Sequence, residues 1–151
     1  MVSGSSPASV VIPMAMREAI VAHARAALPN EACGLIIGDR PAADGGLALR
    51  WMPTRNRAAS PYRYEIDSDD LLRATIDTDD ANEVFWAIVH SHVASPARPS
   101  PTDIGLAYYP DALYVLVSLH PDEADPVIGG AGLRAWRIVD EQVFEVGVTT
   151  S

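Results

Sequence analysis

The chain has one cysteine, Cys33, in 151 residues. No internal disulfide can brace it, and a lone cysteine fits a reducing compartment, so cytoplasmic location is the default expectation. No apolar run approaches the roughly 18 residues needed to span a bilayer. The stretch Met1 to Pro7 has neither the basic start nor the apolar core of a secretory signal. Positive charge is scarce: 11 basic against 20 acidic residues, a net charge of −9. An acidic surface repels phosphate, so nucleic acid is not an expected partner. A membrane is not one either. A protein or peptide carrying basic surface is compatible with this charge, although solubility alone accounts for it.

What is there is ordinary for a globular domain: 48% hydrophobic and 21% charged residues in a length that suits one core. Residues 1–8 are expected to be a flexible tail and 9–148 the domain. Ser9 to Ile12 is a short strand candidate. Pro13 opens an Ala-rich segment to Leu28, with Met16, Ile20, Ala24 and Ala27 at helical spacing, stopped by Pro29-Asn30. Glu31 to Gly38 reads as a buried strand and Leu47 to Met52 as another. Tyr62 to Ile66 alternates like a strand after the irregular stretch Arg55 to Pro61. Asp67 to Asp70 cap a helix containing Leu71, Leu72 and Ile76, with acids at its positive end. Val84 to Val89 is the clearest central strand and runs into His90-Ser91-His92. Tyr114 to Leu119 is buried, and Leu133 to Val139 with Val143 to Val148 form a hairpin around Asp140-Glu141. The sum is two helices and about seven strands, an α/β (α+β) domain around one mixed sheet.

His90 and His92, two apart on an extended strand, share a face about 6.6 Å apart. Two imidazoles so placed can converge on one metal. Asp103 follows eleven residues after His92, beyond a loop stiffened by Pro96, Pro99 and Pro101. Two histidines and a carboxylate leave a fourth tetrahedral position for water, whose pKa a metal lowers toward ~7. Such water needs a base, and Glu31, a charge opening a buried strand, is the best candidate.

The spacing resembles the JAMM, or MPN-plus, metallopeptidase pattern: a distant Glu, then His-x-His, seven residues, Ser, two residues, Asp. Here these are Glu31, His90-Ser91-His92, Ser100 and Asp103. Glu31-Ala32-Cys33-Gly34 and the strands beside the motif match in kind. Val93 departs from the Pro that many relatives carry there. The resemblance implies a cytidine-deaminase-like MPN fold with helices flanking a mixed sheet. It implies Zn2+ held by His90, His92 and Asp103, Glu31 as general base, and Ser100 helping to stabilise the tetrahedral oxyanion. The motif and residues Asn56 to Asp67 most resemble the short bacterial branch. That branch trims the C-terminus of small ubiquitin-like sulfur-carrier proteins ending in Gly-Gly and can free cysteine for cysteine biosynthesis. The alternatives are a non-catalytic MPN-type scaffold and a deubiquitinase-like isopeptidase. A homodimer stays open.

Plainer readings stand beside these. Ser100-Pro101-Thr102-Asp103 is also a capping box with Pro at the first helical position, and such a helix start can fix a ligand. Cys33 reads as a small core residue. His23 and His120 lack partners at ligand spacing and are expected in solvent, as are Asp67, Asp69, Asp70, Asp77, Asp79 and Asp80 on a solvated face. Arg55, Arg57 and Arg63 are surface groups or anchors for a substrate carboxylate. The irregular stretch Arg55 to Pro61, next to the expected strand Tyr62 to Ile66, is the expected open edge for an extended substrate tail, since Pro61 lacks an N–H to pair. A base-modifying deaminase is a weak rival, since it needs His-x-Glu with a later Pro-Cys-x-x-Cys, which the chain lacks.

Overall fold

Runs of apolar residues set the centre of the fold. The computed structural model describes residues 7–124 and 130–149, so most of the expected tail lies outside the described residues. The strands are β1 (Ser9–Val11), β2 (Cys33–Gly38), β3 (Ala48–Thr54), β4 (Val84–His92), β5 (Leu113–Ser118), β6 (Gly132–Val139) and β7 (Gln142–Thr149). The helices are α1 (Met14–Ala27), α2 (Ser68–Ala81) and the short α3 (Pro101–Gly105). One sheet has the order β1-β7-β6-β5-β4-β2-β3. β1 with β7 and β4 with β5 are parallel, and the other neighbours are antiparallel. The expected mixed sheet with flanking helices is therefore present. Among the described residues no helix is long and apolar enough to cross a membrane.

β2 and β5 are buried along their whole length, as strands covered on both faces must be. On one face Ile36, Val89, Val115 and Val117 pack against Ile20, Val21 and Ala24 of α1. On the other, Leu35, Ile37, Ile88 and Leu116 pack with Ala74 of α2 and with Trp136 and Ala97. Helices thus cover both faces. The β6–β7 turn is Asp140-Glu141, with φ of 52° and 64° at both residues. That left-handed pair matches the twist of a two-residue hairpin.

Three expectations need correction. Tyr62 to Ile66 is not a strand. It forms one isolated bridge, Asn56 with Ile66, and its backbone is satisfied instead by the Asn56 side chain and by a bond from Arg57 N–H to the Glu65 carbonyl. The sheet edges are β1 and β3, so neither this segment nor Arg55 to Pro61 beside it is an open edge. β2 begins at Cys33, two residues after Glu31, because the Glu31 N–H turns away to the Ser60 carbonyl at 2.8 Å. The chain also forms a third helix, α3, where a capping box alone was legible.

Candidate metal centre

β4 carries the histidines to its carboxyl end, beside the end of the parallel strand β5. Its register sets Cys33 opposite His90, and His90 opposite Leu116. Alternation then sends His90 and His92 to the α2 face and Ser91 to the α1 face. Ser91 ties the strands together past the end of β2. Its Oγ accepts from Ala32 N–H at 2.8 Å, and its N–H donates to the Ala32 carbonyl at 3.0 Å. This extension of the ladder places Glu31 opposite His92, where paired side chains stand ~5 Å apart.

Asp103 arrives by another route. The loop after β4 is pinned at three points. Ser118 Oγ donates to the Ser95 carbonyl at 2.6 Å, Trp136 Nε1 donates to the Ala97 carbonyl at 2.9 Å, and Leu119 N–H donates to the His92 carbonyl at 3.1 Å. Ser100 then starts α3. Asp103 N–H donates to Ser100 Oγ at 3.1 Å, and Ser100 N–H donates to Asp103 Oδ2 at 2.9 Å. The capping box is therefore formed, and it holds the carboxylate against the histidines. His92 Nε2 lies 3.0 Å from Oδ2, and His90 Nε2 lies 3.2 Å from Oδ1. One donor atom from each of His90, His92 and Asp103 lies within 4.8 Å of the others.

The donor set fits a cation. His92 Nδ1 donates to the Pro96 carbonyl at 2.7 Å. A neutral ring then presents the Nε2 lone pair to a carboxylate oxygen, two acceptors face to face. Only positive charge, as a second proton or a metal ion, reconciles them. His90 Nδ1 and Nε2 are buried with no hydrogen-bond partner, so the 3.2 Å contact lacks bonding geometry. The Pro96 bond to the far nitrogen is the kind of outer contact that would orient His92 as a ligand.

The electrostatics follow from burial and crowding. Burial pulls the His90 ring below its ordinary value, against an opposing pull from Asp103. His92 is raised, since its bonds to Asp103 and to the Pro96 carbonyl outweigh burial. Asp103 is held well below the usual carboxylate range, because the two imidazoles outweigh a burial effect of opposite sign. Glu31 goes the other way. Burial pushes its carboxyl up to about 7, with His92 pulling down and Asp103 pushing up. Its Oε1 is buried and has no hydrogen-bond partner. The structure thus brings Glu31, His90, His92, Ser100 and Asp103 to one place.

Other candidates go elsewhere. Cys33 is buried, its Sγ 3.4 Å from Thr54 Oγ1, and burial pushes the thiol up to about 11, as expected of a core residue. His23 is half-buried rather than solvated, since Nε2 bonds the Cys33 carbonyl at 3.0 Å and the ring meets Trp51 edge-on. His120 also has a local role, its Nδ1 accepting from Asp122 N–H at 3.0 Å. Asp67 and Asp70 are not a bare solvated face: both pair with Arg55. Arg57 donates to Ser68 Oγ. Arg63 lines a cleft of about 660 Å³ with Tyr64, Ile66, Leu72, Leu106 and Tyr108. Sequence spacing assigned no role to three residues around the centre: Ser91, Tyr64 and Asn56. Tyr64 stacks on His90 with ring centres 4.2 Å apart. A serine facing the apolar side of a buried strand was the one available hint.

The fold and this centre define a JAB-type domain. Residues 13–139 match the family model described as prokaryotic homologs of the JAB domain, and the chain belongs to that family. It is 41% identical over 140 residues to a protein of Mycobacterium tuberculosis named CysO-cysteine peptidase, covering 90% of this chain and 87% of that one. It is 31% identical over 107 residues to a desampylase of Haloferax volcanii, covering 68% and 75%. A solution structure of a Desulfitobacterium hafniense protein superposes with a TM-score of 0.76 at 32% identity, over 93% and 91% of the two chains. A JAB1/MPN domain protein of Archaeoglobus fulgidus shares the fold, with a TM-score of 0.56 at 16% identity, over 93% and 98%.

Proposed function

We propose that the chain is a zinc-dependent peptidase that hydrolyses an amide bond at the C-terminus of a small ubiquitin-like sulfur carrier ending in Gly-Gly, releasing cysteine in one use. The observation that carries this reading is the convergence of His90, His92 and Asp103 beside the buried carboxyl of Glu31. The names of the mycobacterial and archaeal relatives support the substrate class.

In this reading His90, His92 and Asp103 would hold the zinc, which when bound would supply Lewis-acid polarisation of a carbonyl and a lowered water pKa. Glu31 is the general base. Buried beside His92, its carboxyl is placed to take a proton and return it to the leaving amine, as acid–base catalysis requires. Ser100 Oγ accepts from Asp103 N–H and keeps its own proton to donate. That donation, aimed at the developing oxyanion, is the role we assign to it. The cleft beside Tyr64 receives the tail, in place of the edge expected at Arg55 to Pro61. Cys33, alone and buried, stays a thiol in the cytoplasm.

The test has two readouts. Purified protein should hold about one zinc per chain, lost in the double change His90→Ala and His92→Ala. Incubation with carriers bearing a C-terminal cysteine should shift the intact mass by one residue. Equal zinc in mutant and parent would remove this site. Bound zinc with no cleavage of any extended carrier would remove the substrate.

A further inference from the structure

Asn56 uses every hydrogen-bonding position its amide has. Nδ2 donates to the Glu31 carbonyl at 3.0 Å and to the Arg63 carbonyl at 3.1 Å. Oδ1 accepts from Ala58 N–H at 3.0 Å and Glu65 N–H at 2.9 Å. A side-chain amide offers two donors and two acceptor lone pairs, so nothing is left over. The orientation is fixed by the network, because the flipped amide would set its NH2 against two N–H groups. The bond to Ala58 is an ordinary Asx turn. The other three are not local: they reach 25, 7 and 9 residues away.

Two of those bonds clamp the backbone on either side of Tyr64, the residue between Arg63 and Glu65. The Tyr64 ring lies nearly parallel to His90, 18° apart at 4.2 Å. The third clamps Glu31, whose N–H is also held by the Ser60 carbonyl. A ligating histidine is usually oriented by a hydrogen bond at its second nitrogen. His92 has one, to Pro96. His90 does not, since its Nδ1 is buried without a partner. The face of the Tyr64 ring lies against the His90 plane, and His92 meets the His90 ring edge-on at 5.1 Å.

We infer that Asn56 is a positioning residue of this centre: one side chain fixes the start of the Glu31 strand and, through Tyr64, the ring plane of His90. The inference rests on His90 being a metal ligand. It deepens that reading by naming what sets the ligand's geometry from outside.

The experiment compares Asn56→Ala, Tyr64→Leu and Tyr64→Phe with the parent. Zinc affinity is read by chelator competition, and ligand geometry by the visible absorption of the cobalt-loaded protein. Outer contacts to ligands typically contribute 10–100-fold in affinity or activity. Asn56→Ala and Tyr64→Leu should each weaken zinc by that order and alter the cobalt spectrum, whereas Tyr64→Phe should match the parent. The double change Asn56→Ala with Tyr64→Leu should be no weaker than the weaker single, because both act through one contact. Asn56→Ala should also lower kcat with KM nearly unchanged, through Glu31. Should the alanine variant fail to fold, Asn56→Asp keeps the shape and loses the two donations, and it should show the same losses. Parental zinc affinity and cobalt spectrum in the Asn56 variants, or a loss in Tyr64→Phe equal to that in Tyr64→Leu, overturns the inference. Failure of the parent itself to bind zinc would instead bring down the metal reading.

Discussion

Glu31 is a carboxyl that the fold keeps easier to protonate than water would, and that property is open to two measurements. In the first, Glu31→Gln keeps its shape but cannot take a proton. Zinc content should stay parental while turnover falls on the order of 10²–10⁴-fold, the usual weight of general acid–base catalysis. Near-parental turnover in a zinc-loaded variant would remove the base role. The second concerns stability. The folded value of about 7 lies above the ordinary 4.5, so the fold favours the neutral form. The neutral carboxyl's contribution is complete below 4.5 and is lost as pH rises through 7. Glutamine stays neutral throughout. In metal-free protein, Glu31→Gln should match the parent near pH 4.5 and exceed it at pH 8, by on the order of 1–2 kcal/mol after allowance for solvent on its open side. Urea midpoints at the two pH values decide this, and an equal gap at both would show that ionisation is not involved. At this scale the motif residues were legible because their types and offsets are fixed along the chain. Asn56 and Ser91 were not. Their bonds span 25 and 59 residues, and a contact of that separation leaves no local pattern.

Elements were legible where one period dominates and illegible where a side chain replaces the ladder. The apolar runs of β2, β4 and β5 and the helical spacing of α1 and α2 came through with ends shifted by a residue or two. Tyr62 to Ile66 has strand alternation, but its partner is the amide of Asn56, so period alone misled. The α3 start was readable as a capping box. It predicts that Ser100→Ala costs about 1 kcal/mol in stability, the usual value of an N-cap. Because the same bonds aim Asp103, zinc affinity should fall as well. A stability loss with unchanged zinc affinity would separate the cap from the centre. β2 makes a second prediction through Gly34. A Cβ there would fall 2.7 Å from the Met52 carbonyl oxygen and run into the Trp51 ring. Both belong to the paired strand β3, which cannot retreat without breaking its ladder. Gly34→Ala should destabilise by about 1–3 kcal/mol, the range for overpacked cores, as read by urea unfolding. Parental stability would mean that β3 yields freely.

For the whole molecule, what matters is where three layers leave an opening. Helices cover both faces of the central strands, whereas β3 and β7 are only partly buried, and the two edges, β1 and β3, lie at the ends of the strand order. The centre sits at the carboxyl end of β4, and the cleft of about 660 Å³ between the Tyr64 segment and α2 adjoins it through Tyr64, which lines the cleft and stacks on His90. Tyr64, Ile66, Leu72 and Tyr108 are among its lining residues. The net charge of −9 can attract a basic partner from a distance but cannot choose a bond. Under the proposed function, selection falls to the tail rather than to the folded body of the substrate. A tail laid beside the stacked pair of Tyr64 and His90 would bring its carbonyl toward the proposed metal, and residues without a Cβ allow the nearest backbone approach. Replacing the terminal Gly-Gly of a cleaved carrier with Val-Val should abolish cleavage, whereas substitutions on the carrier's folded surface should change the rate by no more than a few-fold. Intact-mass time courses on the two sets of variants measure both. Cleavage of the valine carrier at the parental rate would show that the cleft does not read the tail, while the proposal of a metal at His90, His92 and Asp103 would be unaffected.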